Sequence, residues 1–143
     1  MIQHDSTSDG LASLPSAHAV PEMVARLKGL LATKGRKLFA KIDHASGAEA
    51  AGLARRPTQA RIFGDPHLGT PLMQSAQMIG LDRPLRALVE EDEIGKVWPA
   101  ATEPCALGRR YRIANRAQIA TVSSRPTRND LPHIRTPPLK HWY

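Results

Sequence analysis

Val20, Met23, Val24, Leu27, Leu30 and Leu31 recur at three- and four-residue spacing, which is the stripe of a helix with one buried face. Pro21 and Glu22 in the first turn and Lys34-Gly35 at the end supply matching start and stop signals, although Ala19 stands where a Ser or Thr cap would serve better. Residues 37–43 then alternate, with Leu38, Ala40 and Ile42 on one face and Phe39 between Lys37 and Lys41 on the other. That pattern predicts a strand with His44 just past its end. A weaker strand is expected over residues 10–14, ended by Pro15.

The Ala-rich stretch 47–53 predicts a short helix, interrupted by Arg55-Arg56-Pro57-Thr58, and residues 60–63 predict another strand. Residues 64–69 read as a loop. Thr70-Pro71 reads as a cap and a first-turn proline, so a helix is expected from Pro71 to Met78 or Ile79, stopping at Gly80. Leu85, Ala87 and Val89 alternate with Arg86, Leu88 and Glu90. The acidic turn 91–95 leads to Lys96-Val97-Trp98, which completes a hairpin that Pro99 should curtail. A last short helix is expected from Glu103-Pro104 to about Tyr111. These elements predict an α+β fold of two layers, a mostly antiparallel sheet of four or five strands with helices packed on one face. The uncovered face, with Phe39, Phe63 or Trp98 on it, is where dimerisation or ligand contact is expected.

Composition adds boundaries to this picture. With 41% hydrophobic and 23% charged residues among 143, the chain has enough apolar content for a core, which excludes wholesale disorder and fibrous classes. A polar leader over 1–9, one domain over 10–113 and a C-terminal arm over 114–143 are expected. The single Cys cannot form an internal disulfide. The chain opens on no basic and apolar signal pattern, and no apolar run approaches a bilayer span, so a soluble cytoplasmic protein with no membrane partner is expected. The net charge of +7 is not spread evenly: residues 1–104 carry 12 Lys plus Arg and 12 Asp plus Glu, and residues 105–143 carry eight and one. All of the excess lies in those last 39 residues, the larger part of them the arm, which is expected to be disordered. The arginines of this basic stretch with Tyr111, Trp142 and Tyr143 fit weak nucleic-acid binding, or a charge that merely keeps an extension soluble.

Candidate chemistry is sparse. The stretch from Gly64 to Thr70 has the glycine spacing of a phosphate loop but lacks its Lys; either its free amides attract an anion or its glycines serve backbone shape. Asp43-His44 places an imidazole beside a carboxylate, which suits a general acid or base, while a strand-end histidine bonded to backbone is the plainer reading. Arg55 and Arg56 can reach an anion near that turn, or form a solvated basic turn. The six His are scattered without metal-ligand spacing, so no metal is expected, and no cofactor is implied. Cys105 receives no role, and no nucleophile motif is present.

Between Val24 and Tyr111 the residues follow a longer pattern. Phe39-Ala40-Lys41-Ile42-Asp43-His44-Ala45, Gly47-Ala48, Gly52-Leu53, Arg56-Pro57-Thr58, Ile62-Phe63-Gly64, Pro66 and Gly69-Thr70-Pro71-Leu72-Met73-Gln74 come in order. Gly80-Leu81-Asp82, Pro84-Leu85, Ala87-Leu88-Val89, Glu91-Asp92 and Gly95-Lys96-Val97-Trp98 continue it. Over about 90 residues the chain thus resembles the domain of unknown function family 302 (DUF302). It departs from the family at Glu90, at Pro99-Ala100-Ala101 and at Tyr111, where a His is typical. The resemblance implies a small α+β homodimer and no established reaction. Its polar and glycine positions, Asp43, His44, Arg56, Thr58, Gly64, Gly69, Thr70 and Gln74, suggest one cleft for a small anionic or polar ligand. A non-enzymatic binding or interaction module is the leading expectation. An enzyme using His44 as general acid or base is the alternative, and nucleic-acid binding through the arm is a third.

Overall fold

The computed structural model describes residues 10–102 and 104–113, so the leader and the arm lie outside the described residues. The elements in order are β1 (Leu11–Ser13), α1 (Val20–Thr33), β2 (Lys37–Asp43), α2 (His44–Ala50), β3 (Thr58–Gly64), α3 (Pro66–Ser75), a 3-10 helix (Gln77–Asp82), β4 (Leu85–Glu91), β5 (Val97–Thr102) and α4 (Pro104–Arg110). Five strands form one antiparallel sheet in the order β1-β5-β4-β3-β2, so β2 to β5 are a meander and β1 joins its far edge. This is the expected α+β architecture.

Cross-strand partners share a face, and the register therefore sorts the side chains. Phe63, Leu85, Val89 and Val97 point to one face, with Ala12 at the β1 edge. There α1 packs Val20 and Met23 against Val89 and Val97, with Val24 and Leu27 beside them. On the same face Leu85 meets a second cluster of Leu72, Ile79, Leu107 and Ile113, which joins α3, the 3-10 helix and α4. The opposite face carries Leu11, Ser13, Ala40, Ile42, Ala60, Ile62, Arg86, Leu88, Glu90, Trp98 and Ala100, and neither buried cluster reaches it. Leu11 and Ile42 on this open face are exposed.

Several local expectations give way. Phe39 is the extra residue of a bulge: Leu38 pairs with Phe63 and Ala40 with Ile62, so Leu38 turns to the helix face while Ala40 and Ile42 keep the open one. Phe63 is buried under the helices rather than on the outer side, whereas Trp98 does stand on the open face. The helix expected over 47–53 begins at His44, because Asp43 caps it by accepting from the Ser46 amide at 3.0 Å, and Leu53 is left exposed. The helix expected from Pro71 begins instead at Pro66, so Thr70 and Pro71 are inside α3. Residues 65–71 contain two cap-proline pairs, and Asp65-Pro66 prevails over Thr70-Pro71 because the Asp65 carboxylate accepts from the His67 amide at 2.9 Å. Gly80 does not end this helix but lies in the following 3-10 turn.

Pro99 does not curtail β5. Within a strand the N–H and C=O of one residue point to the same neighbour, and the Pro99 carbonyl accepts from Leu14, on the β1 side. The missing amide therefore costs the β4 ladder nothing, and pairing continues through Ala100 and Ala101. The turn before β5 is organised by Asp92, whose carboxylate accepts from the amides of Ile94 and Lys96 and from the Trp98 indole.

Candidate functional site

The resemblance-derived residues divide into two groups at opposite ends of β2 and β3. Asp43 pairs with Gln59 at one end and Lys37 with Gly64 at the other, six residues or about 20 Å away. One cleft containing all eight does not form, because antiparallel strands carry the two motif segments to opposite ends.

At the first end, the Asp43 carboxyl is held below its ordinary value chiefly by the Ser46 amide it accepts from. It serves α2 as a cap and does not orient His44, which is the exposed first residue of that helix. Arg56 is exposed, and the buried Thr58 hydroxyl donates to the Arg56 carbonyl at 2.9 Å. Arg55 reaches Glu90 at 3.2 Å. These are the bonds of a turn that anchors β3, and they leave the imidazole without an orienting partner among the described residues.

At the second end, Gly64 is buried where a Cβ would stand 3.5 Å from Pro84 Cβ and 3.6 Å from Phe39 Cε2. Gly69, Thr70 and Gln74 lie on α3, with Thr70 and Gln74 exposed one turn apart on the same side of the helix. The amides expected to attract an anion are occupied: His67 donates to the Asp65 carboxylate, and Leu68 and Gly69 donate to the Asp65 carbonyl.

What the sequence did not reveal sits beside Gly64. Carrying the pairings Lys37 with Gly64 and Leu85 with Phe63 one step and two steps outward puts Arg36 and Arg83 on either side of Asp65. Arg36 Nη1 donates to Asp65 Oδ2 at 3.4 Å, with the two side chains 13% and 23% exposed. The Nε atoms of both arginines are buried without a hydrogen-bond partner. Burial, and then the neighbouring Arg36 charge, push the Arg83 guanidinium below its ordinary pKa. The adjacent carboxylate, Asp82, is engaged elsewhere: it accepts from Arg110 Nη1 at 3.0 Å and from the Tyr111 hydroxyl. The signal for this cluster appears only after the antiparallel register of β2, β3 and β4 is drawn.

The Asp82 contacts predict a pH dependence. Its carboxyl is lowered, chiefly by the Tyr111 hydroxyl, so its contribution to stability is present above the unfolded carboxylate value of about 3.9 and is lost as pH falls through the lower folded value. Tyr111 is raised, chiefly by the same bond, so its contribution is present below about 10 and is lost as pH rises through the higher folded value. Melting temperatures measured across pH are expected to fall at both limits, and Tyr111→Phe is expected to remove the alkaline fall and soften the acid one. An alkaline limb identical in that variant would contradict the assignment.

Among the described residues no helix is long and apolar enough to cross a membrane, and no group of three or more His, Cys, Asp or Glu could hold a metal ion. Comparison with known families matches residues 12–126 to the domain of unknown function DUF302. The chain is 40% identical over 111 residues to the fluoride-specific ion channel FluC 1 of Brucella suis biovar 1 (strain 1330), covering 78% of this chain and 44% of that protein. The same identity and length hold for FluC 1 of Brucella abortus biovar 1 (strain 9-941), of which 41% is covered. The chain thus spans less than half the length of the curated relatives it matches. Among solved structures, the uncharacterized conserved protein DUF302 from Bacillus stearothermophilus superimposes with a TM-score of 0.69 at 14% identity, covering 79% of this chain and 87% of that one. At that identity the likeness speaks for the fold.

Proposed function

The chain belongs to the DUF302 family, and from that membership we propose that it is a non-enzymatic binding module, a homodimer that takes a small anionic ligand at the Gly64 end of its sheet. The observation that carries this reading is the open sheet face. Leu88 stands at its centre between Ala60 and Ala100, with Ile42 beyond, and on the same strand Arg86 and Glu90 flank it two residues away on either side. Consider a twofold axis between two stacked sheets, running across the strands at Leu88. It sets β4 antiparallel over its copy, so Leu88 meets Leu88 and Arg86 of each protomer faces Glu90 of the other. The face is self-complementary in charge as well as apolar, which favours a second copy as its occupant. Glu90 already accepts from Arg55, so the partner's Arg86 would add a second cation to that carboxylate.

Sedimentation of the full chain is expected to give a dimer, with Leu88→Glu weakening association about a hundredfold or more. Arg86→Glu and Glu90→Arg are each expected to be monomeric alone and to form a mixed dimer when combined, since mixing restores both opposite-charge pairs. A monomeric parent chain, or no association on mixing, overturns the reading.

The non-enzymatic part is supported by the capping role of Asp43, which leaves His44 without an orienting partner among the described residues. A second reading comes from the Brucella proteins, in which the matched segment is part of a chain named as a fluoride-specific ion channel. On that reading the module serves such a channel without forming its pore. Fluoride efflux from vesicles carrying the Brucella protein without its matched segment, measured with and without this chain, tests it: unchanged efflux counts against the service role.

A further inference from the structure

Two guanidiniums and one carboxylate meet at the end of the sheet, and the carboxylate engages only one of them, Arg36. Asp65 divides its carboxylate between the His67 amide through Oδ1 and Arg36 through Oδ2. The Arg83 guanidinium makes no hydrogen bond or ion pair with another described residue, and its Nε is buried with nothing to donate to. The Arg36 Nε is in the same condition. Half-burying a cation without a counter-ion carries a cost, and placing it beside a like charge adds to that cost. Lys37, which pairs with Gly64, adds a further positive charge at this end and lies 5.4 Å from the Phe39 ring.

We propose that Arg36 and Arg83 form a binding site for a small oxyanion, a phosphate or carboxylate group whose oxygens take the Nη donors that these two guanidiniums leave open to solvent, the buried Nε atoms lying behind them. This deepens the small-anion part of the binding-module reading and rests on it. The forked guanidinium matches an acceptor that offers two oxygens, which favours an oxyanion over a single-atom halide. Asp65 holds Arg36 in place and leaves the Arg83 side to the ligand. The helix N-terminus contributes no free amide in its first turn, since Asp65 occupies those of His67, Leu68 and Gly69.

The test uses the full chain in a buffer without phosphate or carboxylate, titrated calorimetrically with inorganic phosphate, acetate, chloride and fluoride in turn. Phosphate or acetate is expected to bind with a Kd of about a millimolar or tighter, and chloride and fluoride at least tenfold more weakly. Arg83→Gln is expected to weaken oxyanion binding at least tenfold, and Arg83→Lys, which keeps the charge but not the fork, to fall between. Thermal unfolding gives an independent readout. Without ligand Arg83→Gln is expected to melt no lower than the parent, because it removes a half-buried charge that has no partner among the described residues. Added phosphate is expected to raise the parent's melting temperature and not the variant's. Phosphate binding unchanged by Arg83→Gln, no oxyanion binding by the parent, halide binding as tight as phosphate, or a variant that melts lower without ligand each overturns the site. Sedimentation of the same samples separates this from the dimer: a dimer that binds no oxyanion defeats the site alone, and a monomer that binds one defeats only the dimer.

Discussion

Leu72→Ala is expected to lower the unfolding free energy by about 3 kcal/mol, the usual cost of deleting a large buried aliphatic side chain and leaving a cavity. Leu72 is fully buried on α3, and with Ile79, Leu107 and Ile113 it makes the cluster that ties three helical segments together and to Leu85 of the sheet. Ile79 and Leu107 come from short helices and Ile113 from just past the last, and α3 carries Pro71 inside it, so helix propensity alone cannot hold the segment in place. The cavity therefore opens where the surrounding packing is the main source of order. A fall in melting temperature of roughly 12 to 20 °C is expected for a domain of this size. Leu81→Ala is the control: Leu81 is 67% exposed and is expected to change stability by less than about 0.5 kcal/mol. Equal effects at the two positions would show that the helical cluster does not hold the fold together.

Gly10→Ala is the second large effect, and it reports on a different junction. Gly10 has φ +79°, and a Cβ built on it would stand 2.3 Å from the Cβ of Ala106 on α4. The substitution thus meets two costs, about 1 to 2 kcal/mol for the left-handed backbone and about 1 to 3 for overpacking, together roughly 2 to 5 kcal/mol. Gly35, which has φ +65° and open space around its Cβ position, separates them. Gly35→Ala carries the backbone cost alone and is expected to be the milder by denaturant titration. If the two variants unfold alike, α4 does not press on the start of β1.

The strands and the first helix were legible because each obeys a local rule. The alternation of β2, the stripe of α1 and the acidic turn between β4 and β5 need no knowledge of distant residues. The failures share another cause. Whether Asp65 or Thr70 starts α3 depends on which cap finds its amide and which turn packs, and both pairs satisfy the same sequence rule. The bulge at Phe39 reverses the facing of Leu38 with no composition cue, since the extra residue is defined only by what β3 places opposite. Pro99 is tolerated because of the neighbour its carbonyl faces, which is also tertiary information. Of the site residues, Asp43 and His44 are adjacent in sequence and suggest a pair, yet the carboxylate turns to a backbone amide. Arg36, Asp65 and Arg83 converge from three separate segments and share no motif.

The strand order carries a further consequence for how the chain reaches this structure. Every pairing from β2 to β5 joins neighbours in sequence, whereas β1 must find β5, with Leu11 opposite Thr102. Closing that long loop costs more chain entropy than any hairpin in the sheet, so the four-stranded meander is expected to assemble first. Of the five strands, the one synthesised first is then the last to be placed: β1 leaves the ribosome ahead of the edge it joins and waits until β5 has emerged.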